Sequence, residues 1–118
     1  MAADVVRRGG LEVLVLDELA GAGVDAIVTT RVGGVSEAPY DTFNLGDHVG
    51  DDPAAVSENR GRLAAAMGLA AADLVIARQV HGIGVATVRR GDVAGDADVL
   101  ATDDPAVALC ILVADCVP

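Results

Sequence analysis

The chain has 118 residues, a formal net charge of −10 from 18 acidic and 8 basic residues, and a mean hydropathy of +0.48. That charge repels phosphate backbones and offers no Lys/Arg stripe, which argues against nucleic-acid binding. No apolar stretch approaches the roughly 20 residues that cross a bilayer, and the N-terminus, M-A-A-D-V-V-R-R-G-G, lacks the layout of a signal peptide, so the expected location is the cytoplasm with no membrane role.

The length suits one domain with a modest core. With one Phe, one Tyr and no Trp, that core has to be built from Ala, Val, Leu and Ile. Leu11–Leu16 and Ala26–Thr30 are β-prone runs on either side of a Gly21-Ala22-Gly23 turn, and predict a paired opening. Residues 31–52 hold Gly33, Gly34, Gly46, Gly50, Pro39, Asn44 and several aspartates with neither periodicity, which predicts a long loop of the functional kind.

Asp52-Pro53 then opens a helix, since Asp caps free N–H groups and Pro fits the first helical position. Val56, Leu63 and Met67 share a face of it, Arg60 falls on that face, and Gly68 marks its end. Arg60 reads either as a snorkelling side chain or as a cation delivered toward an anionic ligand. Leu74–Val80 and Ile83–Val88 predict two strands joined at His81-Gly82 as a hairpin or bend. Residues 91–104 are acidic and turn-rich around a short ordered Ala97-Asp98-Val99-Leu100. Ala106–Ala114 is apolar throughout, as expected of a buried strand.

Cys110 lies inside that run and reads as a small core residue. Cys116 follows it beside Asp115, where a side chain can face a cleft. Along a regular strand the two thiols would stand roughly 20 Å apart, too far for a disulfide.

His81 and Cys116 are the best soft-ligand pair, and imidazole with thiolate suits zinc or copper. A third ligand would come from His48, Asp115 or residues beyond Pro118. The same pair could act as nucleophile and base, with an acid such as Asp98 orienting the imidazole. Arg31 and the Gly33-Gly34 pair could meet an anion, or form an ordinary glycine turn. Asp47, Asp51 and Asp52 could hold a cation, or be solvated and capping acids.

Taken in order, T-T-R-V-G-G-V-S, P-Y-D-T-F-N-L-G-D-H-V-G-D-D-P, E-N-R, R-Q-V-H-G, A-D-V-L-A-T and L-V-A-D-C-V-P form a series from about Thr29 to Pro118. The series resembles the YfiH-like family, also labelled polyphenol oxidase or laccase-domain proteins and understood as purine nucleoside enzymes. The resemblance implies an α+β fold, a mixed β-sheet with flanking helices, and makes residues 1–118 the N-terminal part of a single YfiH-like domain. It implies phosphorolysis of adenosine, inosine, guanosine and methylthioadenosine, together with adenosine deamination.

The family's zinc is held by a His-Cys-His set. His81 and Cys116 match the first two ligands, and the third belongs to a later H-A-G-W-R-G-like segment that this sequence does not contain. By the same resemblance Asn44, with His81 and Cys116, is expected to take part in catalysis, while Arg31, His48 and Arg60 bind phosphate and nucleoside. The missing C-terminal half or a homo-oligomer partner would complete the site. Two other readings stand beside this one: copper-dependent oxidation of phenols, and a non-catalytic fragment or interaction module.

Overall fold

The structure is a computed structural model and describes residues 3–113. It has a mixed α+β fold with several small sheets, and its contacts divide the chain into two compact units, Met1–Met67 and Gly68–Pro118.

The first unit opens with strands β1 (Ala3–Arg8) and β2 (Leu11–Leu16), paired antiparallel across Gly9 and Gly10. Both glycines have positive φ, 57° and 83°, the backbone that a two-residue hairpin turn demands. A short helix α1 (Asp17–Gly21) then leads to β3 (Ile27–Thr29), which pairs antiparallel with β2. The β2–β3 pairing matches the expectation for the two β-prone runs. β1 was not anticipated, because Val5 and Val6 are exposed and the strand is held by its ladder rather than by an apolar pattern.

Helix α2 (Pro53–Ala66) begins as expected, with the Asp52 side chain accepting from the Ala54 N–H, and ends at Met67 before a left-handed Gly68. It packs on β2, and Leu11 and Val13 join Phe43, Val56, Leu63 and Ala64 in the buried core. Residues 31–52 form the long loop that composition predicted, without helix or strand.

One side chain of α2 holds that loop. Asn59 is fully buried and lies three positions after Val56 on the same stripe. Its Oδ1 accepts from the Val35 N–H at 2.9 Å, and its Nδ2 donates to Ser36 Oγ at 2.9 Å and to the Asn44 carbonyl at 2.8 Å. Ser36 Oγ in turn donates to Asp51 at 2.6 Å, so two parts of the loop are tied through one amide. Gly34 is required beside this knot, since a Cβ there would sit 2.1 Å from the Thr42 carbonyl oxygen.

In the second unit a 3-10 turn (Ala71–Asp73) precedes β4 (Leu74–Ile76), followed by β5 (Val85–Thr87), β6 (Val99–Ala101) and β7 (Ala108–Cys110). β4 pairs with β7 and β5 with β6, both parallel, so of the two expected links at His81-Gly82, a hairpin or a bend, the chain makes the bend. Each strand takes a partner from later in the chain instead. The final apolar run is also less covered than expected: Leu109, Ile111 and Val113 are 40–42% exposed, and Cys110 is half-buried. β7 has a single neighbouring strand among the described residues. The core here is Val75, Ala77, Val88 and Ala97. No helix among the described residues is long and apolar enough to cross a membrane.

Asn59→Ala leaves the Val35 N–H and the Asn44 carbonyl without their buried partner, and is expected to lose roughly 2–4 kcal/mol in urea unfolding. A loss under about 1 kcal/mol would mean that the loop is held by something else. Hydrogen bonds from Ser36, Asn44 and the Asp52 N–H hold the Asp51 carboxyl below its ordinary value of 3.8, against a smaller opposing effect of burial. Its stabilisation is therefore complete above the unfolded value and fades as pH falls from 3.8 through the lower folded value. Urea midpoints between about pH 5 and 2 should fall less steeply for Asp51→Asn than for the unaltered protein; parallel profiles would contradict this.

Candidate functional site

His81 stands on the turn between β4 and β5 with φ 57°, the only non-glycine residue in the left-handed region among those described. Such a conformation costs on the order of 1–2 kcal/mol for an L-residue unless its surroundings hold it. Asp98 does so. Its Oδ1 accepts from the N–H groups of Val80 and His81, each at 3.0 Å, and its Oδ2 from the Gly82 N–H at 2.8 Å. The carboxylate thus grips the backbone of three successive residues, whereas the sequence had suggested it as an orienter of the imidazole. The Asp98 and Val99 N–H groups both donate to the Gly84 carbonyl, which fixes the acid in turn.

Two further contacts secure this segment. Gln79 reads the backbone of Leu112 like a neighbouring strand, donating from Nε2 to its carbonyl at 3.0 Å and accepting its N–H on Oε1 at 2.8 Å. Gln79 precedes His81 by two residues and Leu112 precedes Cys116 by four, so one amide joins the two chain segments that carry the expected metal ligands. Arg78 pairs with Asp96, and this partner holds the Asp96 carboxyl below the ordinary carboxylate range. The Ala70 N–H and Arg90 lower the Asp73 carboxyl in the same way.

In the first unit, Asn44, His48 and Arg60 meet at one turn. Asn44 Oδ1 accepts from the Gly46 N–H at 3.0 Å, while its Nδ2 donates to the Gly46 carbonyl and to Asp51 at 3.0 and 3.1 Å. Gly46 is buried, and the exposed His48 ring lies close enough that a Cβ on Gly46 would meet its Cε1 at 3.2 Å. Arg60 Nε donates to the Leu45 carbonyl at 2.9 Å, and its Nη2 is 3.8 Å from Asp47.

Arg31 is exposed, its Nε donating to the Asp41 carbonyl at 3.1 Å and its own carbonyl accepting from Thr42 and Phe43. The glycine pair after it makes no anion cradle: the N–H groups of Val32, Gly34 and Val35 go to Thr30, Thr42 and Asn59.

Exposed imidazole on a fixed turn is a sound zinc donor, and a nearby thiolate would complete a soft pair. Cys116 lies outside the described residues. No group of three or more His, Cys, Asp or Glu among the described residues is arranged to hold a metal. Asp51 holds the loop, Asp52 caps the helix and the exposed Asp47 stands 3.8 Å from Arg60, which favours the reading of these aspartates as solvated and capping acids over a cation site.

Sequence reasoning missed Asn59 and the bridging role of Gln79. The helical stripe could have pointed to Asn59, since it falls on the Val56 face as well as Arg60 does. Nothing local signals that Gln79 meets Leu112, 33 positions away.

Comparison with known proteins follows the same residues. The chain is 56% identical over 94 residues to the purine nucleoside phosphorylase of Mycobacterium tuberculosis strain H37Rv, spanning 78% of this chain and 38% of that protein. It is 53% identical over 91 residues to the purine nucleoside phosphorylase of Deinococcus radiodurans, spanning 76% of this chain and 35% of that protein. The chain therefore spans about two fifths of the length of the curated relatives it matches. Among solved structures, YlmD from Geobacillus stearothermophilus superimposes with a TM-score of 0.80 at 30% identity, over 92% of this chain and 43% of that one. The hypothetical protein YfiH of Bacillus licheniformis gives 0.74 at 32% identity, over 84% and 41%. Residues 25–118 match the family described as multi-copper polyphenol oxidoreductase laccase, and with these neighbours the match makes the chain a member of that family, the YfiH-like laccase-domain proteins.

Proposed function

We propose that this chain supplies two metal ligands and a set of phosphate- and nucleoside-binding groups to a cytoplasmic, zinc-dependent purine nucleoside phosphorylase that also deaminates adenosine. Both units belong, in this reading, to the N-terminal part of one YfiH-like domain. The observation that carries it is the Gln79–Leu112 pairing, which ties the His81 turn to the segment leading to Cys116. Kinship with relatives named as purine nucleoside phosphorylases supplies the reaction class.

In phosphorolysis, phosphate attacks the anomeric carbon as the bond to the purine loosens, so charge has to be balanced at both ends of the breaking bond. Arg60 and Arg31 meet the phosphate. The Arg60 guanidinium is already oriented by its Nε bond to the Leu45 carbonyl, and an incoming anion competes only with the exposed Asp47 for Nη2. Asn44 fixes the turn that sets His48 at the surface, and the two supply polar groups at the ribose. His81 and Cys116 hold the zinc, which when bound supplies Lewis acidity for deamination. Zinc takes at least three protein ligands, and in this reading the third is the histidine that the family carries in a later segment.

The family's name, multi-copper polyphenol oxidoreductase laccase, raises copper-dependent phenol oxidation as a second reading. It ranks lower because a multi-copper centre draws on many histidines and this sequence has two.

Replacing the matched stretch of the M. tuberculosis relative by residues 25–118 is expected to give a chimaera that phosphorolyses adenosine and carries stoichiometric zinc. His81→Ala in that chimaera should lower turnover at least about 100-fold and release the metal. Undiminished turnover with the metal retained would sink the assignment, and copper with oxygen uptake on a phenol would move it to the second reading.

A further inference from the structure

We infer that Asp98 is the positioning residue of His81: it acts on the backbone of the turn, and through that backbone sets where the imidazole stands. The inference rests on the reading of His81 as a metal ligand. Carboxylates near ligating histidines commonly hold the ring by its second nitrogen. Here both carboxylate oxygens are spent on three consecutive N–H groups, Val80, His81 and Gly82, at 2.8–3.0 Å. The imidazole makes no hydrogen bond among the described residues, so its position is inherited from a backbone conformation that L-residues seldom adopt.

Three further features separate a positioning device from a surface contact. The acid is itself clamped, because the Asp98 and Val99 N–H groups both end on the Gly84 carbonyl at 3.0 and 3.1 Å. The residue before it, Ala97, is 1% exposed and anchors the acid's segment in the core. Gly82 stands where a Cβ would come within 3.2 Å of Asp98 Oδ2, so the turn is shaped to let the carboxylate in. The left-handed His81, the glycine after it and the acid opposite form one unit in which the ring is preset and free for a ligand.

The two histidines provide an internal reference, since His48 belongs to the other unit. In the unaltered chain, His81 should show the strong intraresidue HN–Hα cross-peak of a positive φ, and zinc chloride titration should shift its ring protons. Asp98→Ala is expected to lose that cross-peak and weaken the zinc response of His81 at least about 10-fold, with His48 unchanged. Asp98→Asn keeps Oδ1 for two N–H groups but turns an amide toward Gly82, and should fall between the two; it also serves if the alanine variant fails to fold.

A retained cross-peak in Asp98→Ala overturns the inference. So does a lost cross-peak with unweakened zinc binding. In that second case loss of binding in His81→Ala keeps the ligand reading standing. Unchanged zinc binding in His81→Ala instead removes the ligand reading, and this inference with it.

Discussion

The buried amide of Asn59 is the constraint on which the first unit depends. The loop over residues 31–52 has no helix or strand to satisfy its backbone, and only Phe43 and Ser36 from it are buried outside the Gly46 turn. A buried N–H or C=O without a partner costs about 1–3 kcal/mol, so a loop crossing a helix face needs partners there. Asn59 offers a donor pair and an acceptor at one point and meets Val35, Ser36 and Asn44 together. Asn44 then passes the order on to Gly46, beside which His48 and Arg60 stand.

The second unit solves the same problem with the same chemistry. Its strands are three residues each and its sheets have two strands, too little ladder to hold a turn such as 79–82 by itself. Asp98 and Gln79 close the gap by reading backbone groups directly. A chain with one Phe, one Tyr and no Trp has few large side chains with which to wedge loops in place, so polar side chains that bind the main chain take over that work.

Much of this was legible where local rules act alone. Asp52 as the cap, Pro53 as the first helical residue, Gly68 as the stop and the loop over 31–52 follow from residue type and spacing. What was not legible depends on distant partners. Periodicity admits both Asn59 and Arg60 to the Val56–Leu63 stripe; the amide goes in because the loop brings unsatisfied backbone groups to it, while Arg60 stays partly exposed with Nε on Leu45. His81-Gly82 is a bend and not the alternative hairpin, because residues 78–82 are bound along 95–98, through the Arg78–Asp96 bridge and the Asp98 carboxylate, while β4 and β5 pair with β7 and β6. As for the candidate site, the sequence named His81, Asn44, His48 and Arg60, but nothing local signalled that the Asp98 carboxylate is spent on the backbone of residues 80–82, where one reading had it orient the ring.

The exposure of Leu109, Ile111 and Val113 bears on how such a site is built. Strands in parallel sheets read as continuous apolar runs because both of their faces are covered. The run from Ala106 has that composition, yet these alternate residues remain about two fifths exposed. In the curated relatives about three fifths of the length lies outside the stretch that this chain matches. Polypeptide laid on the face of Leu109, Ile111 and Val113 would bury the strand whose continuation Gln79 binds through the Leu112 backbone, and so stiffen the segment that carries His81.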